Sequence, residues 1–344
     1  MPILQRSSIR TSNYPKRNAL VLLMLTAALV GAFLLSLRCG SQNYTVSQLL
    51  SAALTGDREN VIWRVLVHAR LPRTVAAMLA GGALALAGAL IQAVLNNAMA
   101  SPNVIGVNAG AGFFSLLAAV ILPEAVQLTP FAAFLGALLT AFLVYLLAIR
   151  AGLSRTSLIL AGLAVSSMLT AGTNMIVLLA PELVLEASSF MLGGFSGVTL
   201  KMVGNAAGYL LLGGALAMLL APDLNVLKLG EESAAALGLH VSRVRSLAIL
   251  AAALLAGGAV SFCGLLGFVG LLVPHAARWL VGGDDRWLFP AAALLGGTFV
   301  LVCDVLARVL FAPFVLPVGV LMSLLGGPFF LYLLLSRKGG RIYA

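Results

Sequence analysis

The chain has 344 residues, of which 61% are hydrophobic and only 9% charged, and its mean hydropathy is +1.07. Those values exclude an ordinary soluble domain, where apolar content is nearer half. A spanning helix needs about 20 apolar residues, so the expected class is an all-α polytopic membrane protein with about ten transmembrane helices; abundant Gly and Ala beside 7% aromatics suit packed helices better than a barrel.

Residues 1–17 carry Arg6, Arg10, Lys16 and Arg17 and read as a cytoplasmic tail of a single transmembrane domain covering 1–344. The apolar run 19–37 exceeds the roughly 7–15 residues of a signal h-region, so it is read as an uncleaved first span. Apolar runs between polar breaks place spans near 18–37, 72–95, 104–122, 128–149, 157–180, 203–221, 245–263, 268–282, 287–306 and 317–336. The third and eighth runs are short or Gly/Pro-interrupted. A further short helix is expected near 184–193, outside the core. Cys39, Cys263 and Cys303 show no metal-ligand spacing and read as packing residues.

An even number of spans puts both termini on one side. With the N-terminus inside, the inner loops and ends hold 14 of the 21 Lys and Arg residues against five acids, and the outer loops hold seven against six. That bias favours cytoplasmic N- and C-termini. It also accounts for the net charge of +10 without nucleic acid.

"LAGGALALAG" at 79–88 and "LAGGAVSFCG" at 255–264 echo each other in spans two and seven. A shift of five spans reverses direction across the bilayer, so the echo is either an inverted repeat or chance similarity between Gly/Ala-rich segments. "CGLLGFVGLLVPH" at 263–275 predicts an irregular, closely packed break between spans seven and eight.

None of the four lysines follows a glycine, so there is no phosphate-binding loop. HExxH and GxSxG are also absent. The chain is therefore expected not to be an enzyme, and any ATP and Mg would sit on a partner.

Between spans six and seven, "LGEESAAALGLHVSRVR" at 229–245 has helix formers, acids in a first turn and Gly238 placed as a C-cap. A short cytosolic helix here, within 229–239, either transmits force from a soluble partner or merely orders a loop. On the other side, Arg70 and Arg73 flank Pro72 at the start of span two, against the positive-inside bias. They suit an acidic docking partner or snorkelling to lipid phosphate. Asp304 and Arg308 are spaced to pair within span nine. In span five, Ser166, Thr170 and Thr173 share a face, either lining a polar path or bonding neighbouring helices.

Several segments together, "RLPRTVAAMLAGGALALAGALIQAVLNN", "GVNAGA", "LGEESAAALG", "GLLGFVGLLVPHAARWLVG" and "LPVGVLMSLLGGPFFLYLL", resemble the permease subunits of ABC importers for iron–siderophore complexes, haem and vitamin B12 (the FecCD-type, or type II, importers). The resemblance implies ten helices with an inverted repeat relating spans 2–5 to 7–10. It also implies a homodimer or close heterodimer, two cytosolic ABC ATPase subunits and an extracytoplasmic substrate-binding protein, all at the bacterial inner membrane among its lipids.

Carried over by motif, Gly230, Glu231, Glu232, Ala234, Leu237 and Gly238 form the ATPase coupling helix, and Arg70, Arg73 and Arg308 meet acids of the binding protein. Asn97 and Met99 help close a cytoplasmic gate, Thr156 and Ser157 begin a second one, and Ser166 and Thr170 line the path. The gate loop "NAMASP" departs from the usual Asn-Pro-Leu-Ala-acid-Pro, with Ala98, Met99 and Ser101 at the altered positions. A ferric siderophore is the first expected cargo, then haem, then cobalamin. The contrasting reading is an ion-coupled secondary transporter working without an ATPase.

Overall fold

The computed structural model describes residues 14–40, 44–55, 59–152, 155–310, 312 and 314–336. Most of the N-terminal tail therefore lies outside the described residues. Every regular element among the described residues is helical: α1 Tyr14–Arg38, α2 Val46–Thr55, α3 Val61–Val65, α4 Leu71–Leu95, α5 Val107–Ile121, α6 Thr129–Arg150, α7 Arg155–Leu179, α8 Val184–Leu192, α9 Leu200–Leu227, α10 Glu231–Ala236, α11 Val241–Cys263, α12 Val269–Val281, α13 Asp285–Val309 and α14 Val318–Ser336. Seven helical stretches are long and apolar enough to span a membrane, and α5, α12 and α14 supply three shorter apolar helices. Short α8 stands where the helix near 184–193 was expected.

The short spans have a shared cause. A 3-10 turn at Pro102–Ile105 precedes α5 and irregular chain at 264–268 precedes α12, and each helix starts from a residue in the left-handed region, Gly106 at φ 75° and Phe268 at φ 64°. Such irregular backbone at membrane depth is tolerated where protein buries it, and it takes up thickness that a longer helix would fill. Two boundaries differ from expectation. Span six runs on to Leu227 through Pro222, since neighbouring helices can re-satisfy the carbonyl that proline leaves free. Span two does not start at Pro72 but continues a helical stretch from Val61, through a π turn at Leu66–Arg70.

Helices α4 and α11 form the centre, with 78% of each spanning window buried. Their packing decides between repeat and coincidence. Helix α4 packs on α13 and α12, while α11 packs on α6 and α5, which are the partners exchanged when spans 2–5 are matched to 7–10. The echoed glycines follow the same rule. A Cβ on Gly81 would lie 2.3 Å from the Gly296 carbonyl oxygen of α13, and one on Gly257 would lie 2.9 Å from Ala137 Cβ of α6. A chance echo has no reason to share partners, so the packing supports the inverted repeat.

Candidate functional site

Helix α10 is six residues long and sits between the ends of α9 and α11. Gly230 precedes it at φ 103° and its carbonyl accepts the Ala234 amide at 2.9 Å. Gly238, at φ 86°, closes it: Gly238 N–H donates to Ala235 O at 2.9 Å and Leu239 N–H to Ala234 O at 3.0 Å. This is the Schellman arrangement that glycine allows without Cβ strain. Ala234 is fully buried against the bundle, whereas Glu232 is exposed and Leu237 is 69% exposed. Glu231 pairs with Arg245 of α11, fixing the helix to the next span. The result is a short, anchored projection with a large apolar side chain at its end.

Polar residues that the motif reading missed bind the base of this projection. Lys228 Nζ lies 2.6 Å from Asp285 Oδ1 and donates to Gly283 O at 2.7 Å and Asn225 Oδ1 at 3.2 Å. Asn225 Oδ1 also accepts the Asp285 amide at 3.0 Å, and its Nδ2 donates to Asp284 Oδ1 at 2.6 Å. Asp284 caps α13 by accepting the Arg286 amide at 3.0 Å. The start of α13 is thereby tied to the end of α9, from which three residues lead to the start of α10.

At the opposite end of the bundle, Arg70, Arg73 and Arg308 share the wall of one cavity of about 640 Å³ with Tyr44, His68 and Phe195. The structure brings these three together, although not as free surface charges. Arg73 and Arg308 both pair with Asp304, at 2.9 and 3.0 Å, and Asp304 is 0% exposed. Arg308 also donates to Ser36 Oγ at 2.9 Å and Cys39 O at 3.1 Å, at the end of α1. Arg70 donates to Leu37 O at 2.6 Å and Arg38 O at 2.8 Å, with its guanidinium over the Tyr44 ring. Arg70 and Arg308 are each 6% exposed, so most of their polar surface is turned into the chain. The expected pair of Asp304 and Arg308 is present, with Arg73 as an added third member.

The segment after α4 lies at the α10 end. Asn96 adopts the left-handed region at φ 44°, and Asn97 Oδ1 accepts the Met99 amide at 2.9 Å. Asn97 is exposed, while Ala98 and Met99 are half-buried. Gln92, 2% exposed, donates from Nε2 to Ala100 O, Gly270 O and Leu271 O, each at 3.3 Å. Helix α7 meets this segment closely, since a Cβ on Gly162 would lie 1.8 Å from Val104 O. Ser166 is beside Gly106, Thr156 and Thr170 are exposed, and Ser157 is half-buried. Thr173 bonds Leu169 O of its own helix at 2.9 Å, so it is bound up locally.

These features match a known group. Residues 27–336 match the FecCD transport family. The chain belongs to the FecCD transport family. It is 35% identical to the Fe(3+)-citrate import system permease protein YfmE of Bacillus subtilis over 94% of this chain and 97% of that protein. It is 40% identical to the cobalamin import system permease protein BtuC of Halobacterium salinarum over 78% of this chain and 73% of that one. A solved chain described as an inward-facing conformation of a metal-chelate type ABC transporter shares 28% identity and superposes with a TM-score of 0.81, covering 94% of this chain and all of the other. Family membership and the apolar helices make this a multi-pass membrane protein.

Proposed function

We propose that this chain is the permease subunit of a binding-protein-dependent ABC importer in the cytoplasmic membrane, with its termini and α10 in the cytosol. Two copies frame a central path, two separate ATPase subunits carry ATP and Mg, and an extracytoplasmic binding protein delivers the cargo. The observation that carries the reading is α10. A six-residue helix, anchored by Glu231 to Arg245 and exposing Leu237, is shaped to sit in a groove of a neighbour and to move two spans with it. A conformational change needs contacts that differ between states, and α10 is where an ATPase can make them.

The arginine-lined cavity supports the docking side. Three guanidinium groups share it, and Asp304 is the carboxylate that pairs with two of them, so an acidic group of a binding protein meets excess positive charge. Asn97 and Met99 with Thr156 and Ser157 serve as the cytoplasmic gate, and Ser166 and Thr170 face the path. The cargo is an iron complex, with a ferric siderophore ahead of haem and cobalamin.

Uptake by proteoliposomes holding the full assembly, with ferric citrate and cobalamin as probes, tests this. ATP-dependent uptake that ignores ionophores is expected. Uptake that survives without ATP and collapses with an ionophore would instead select the ion-coupled transporter.

A further inference from the structure

Two buried charged groups at the α10 end, Asp285 and Arg278, carry polar atoms that lack, among the described residues, the hydrogen bonds buried groups normally find, and Asn18 Oδ1, beside the Val281 carbonyl, is a further such atom. Asp285 is 0% exposed, and its Oδ1 faces Lys228, but among the described residues its Oδ2 accepts no hydrogen bond. Arg278, in the last turn of α12, donates from Nη2 to Gln92 Oε1 at 2.9 Å, while its buried Nη1 has no hydrogen-bond partner among the described residues. One vacancy is a carboxylate oxygen and the other a guanidinium N–H. They lie seven residues apart across the turn at Gly282 and Gly283, where added Cβ atoms would touch nothing within 4 Å. Their charges are near each other. Burial pushes the Lys228 ammonium below its usual pKa, Asp285 opposes that shift, and Arg278 is close enough to add to it.

The bonds on either side of this gap lead to different places. From Asp285 they run through Lys228 to the base of α10. From Arg278 they run through Gln92 to Ala100 O, three residues beyond Asn97. Among the described residues, the gap therefore separates two polar clusters, one holding Lys228 just before α10 and the other reaching the segment after α4.

We propose that Asp285 is an exchangeable partner, holding Lys228 in this state and engaging Arg278 when α10 is displaced, so that movement of α10 reaches the segment after α4. The proposal rests on the reading of α10 as the coupling helix. Lys228, Asp285, Arg278 and Gln92 are positioning residues in it, and none touches cargo. A fixed clasp explains the Lys228 bonds but leaves both vacancies without a reason. Exchange explains them, because each is the site the other fills in the second state, and a ligand such as nucleotide acting on α10 biases the two arrangements.

The test uses the whole assembly, purified with its ATPase subunits in nanodiscs. It carries Ala98→Cys in a Cys39→Ser background, and the readout is the maleimide labelling rate at position 98. With the relay intact, ATP plus vanadate is expected to change that rate at least about fivefold, the lower range of allosteric couplings. Arg278→Gln leaves the Lys228–Asp285 pair in place; it should abolish the change while ATP hydrolysis continues. The double swap Lys228→Asp with Asp285→Lys rebuilds a static pair but turns a cation toward Arg278, so the response should stay lost at an unaltered melting temperature. A response that persists in Arg278→Gln overturns the exchange, as does one restored by the swap. Should the swap fail to fold, Arg278→Gln decides alone. If the intact assembly shows no nucleotide response, the coupling-helix reading fails first and the exchange falls with it.

Discussion

Asp285 and Asp304 are both 0% exposed and lie near opposite ends of α13. Asp304 is held by two arginines that leave neither oxygen free: Arg73 reaches Oδ1 at 2.9 Å and Oδ2 at 3.2 Å, and Arg308 pairs with Oδ2 at 3.0 Å. Asp285 has one cation, Lys228, itself 28% exposed, and an oxygen left over. The end with Asp304 thus locks α1, α4 and α13 together, since Arg308 also grips the end of α1 and Arg73 belongs to α4. The end with Asp285 adjoins the exposed α10. Buried charge is expensive unless paired and hydrogen-bonded. A saturated carboxylate therefore marks structure that stays put, and an unsaturated one marks structure with a second arrangement within reach.

Breaking the saturated site should have the largest effect. Asp304→Ala leaves two guanidinium groups without their counter-charge, and removing one partner of a buried pair costs about 3–5 kcal/mol. A large fall in the melting temperature of the detergent-purified protein is expected. Asp285→Asn should cost less, about 1–2 kcal/mol after allowing for the exposure of Lys228, because only one partner is lost and Asn225 still binds the α13 start. Equal losses at the two aspartates would erase the contrast.

Glu231→Gln should cost less again, on the order of 0.5 kcal/mol, since the Glu231 side chain is 48% exposed. It should nevertheless lower ATP-driven uptake in proteoliposomes by loosening α10 from α11. Leu237→Ala, at the exposed tip, should leave stability within about 0.5 kcal/mol yet weaken co-purification of the ATPase subunits. If Leu237→Ala instead destabilises the isolated chain, the side chain is serving the bundle and the handle reading is wrong for it.

The sequence made legible what depends on local pattern. Apolar runs marked the spans, the acids at 231 and 232 with Gly238 marked the ends of α10, and the i,i+4 spacing foretold the Asp304–Arg308 pair. The arginine cavity could be anticipated only through resemblance, because Arg73 meets Asp304 across 231 residues. The Gln92–Arg278 bond joins residues 186 apart, and Lys228 meets Asp285 through a turn that no periodicity predicts. Single polar residues in apolar runs carry no signal of which helix will face them. The start of span two was misplaced for a related reason, as a π turn before Pro72 is invisible to a pattern of 3.6 residues.

Exchange of backbone amide hydrogens over 229–239, in the chain alone and in the assembly with its ATPase subunits, tests the central claim most directly. Such a short exposed helix opens readily by itself, and seating in a partner's groove slows that opening. The account predicts fast exchange in the isolated chain, strong protection on assembly, and a further change when ATP is added. Exchange over this stretch that is the same in both samples would contradict it.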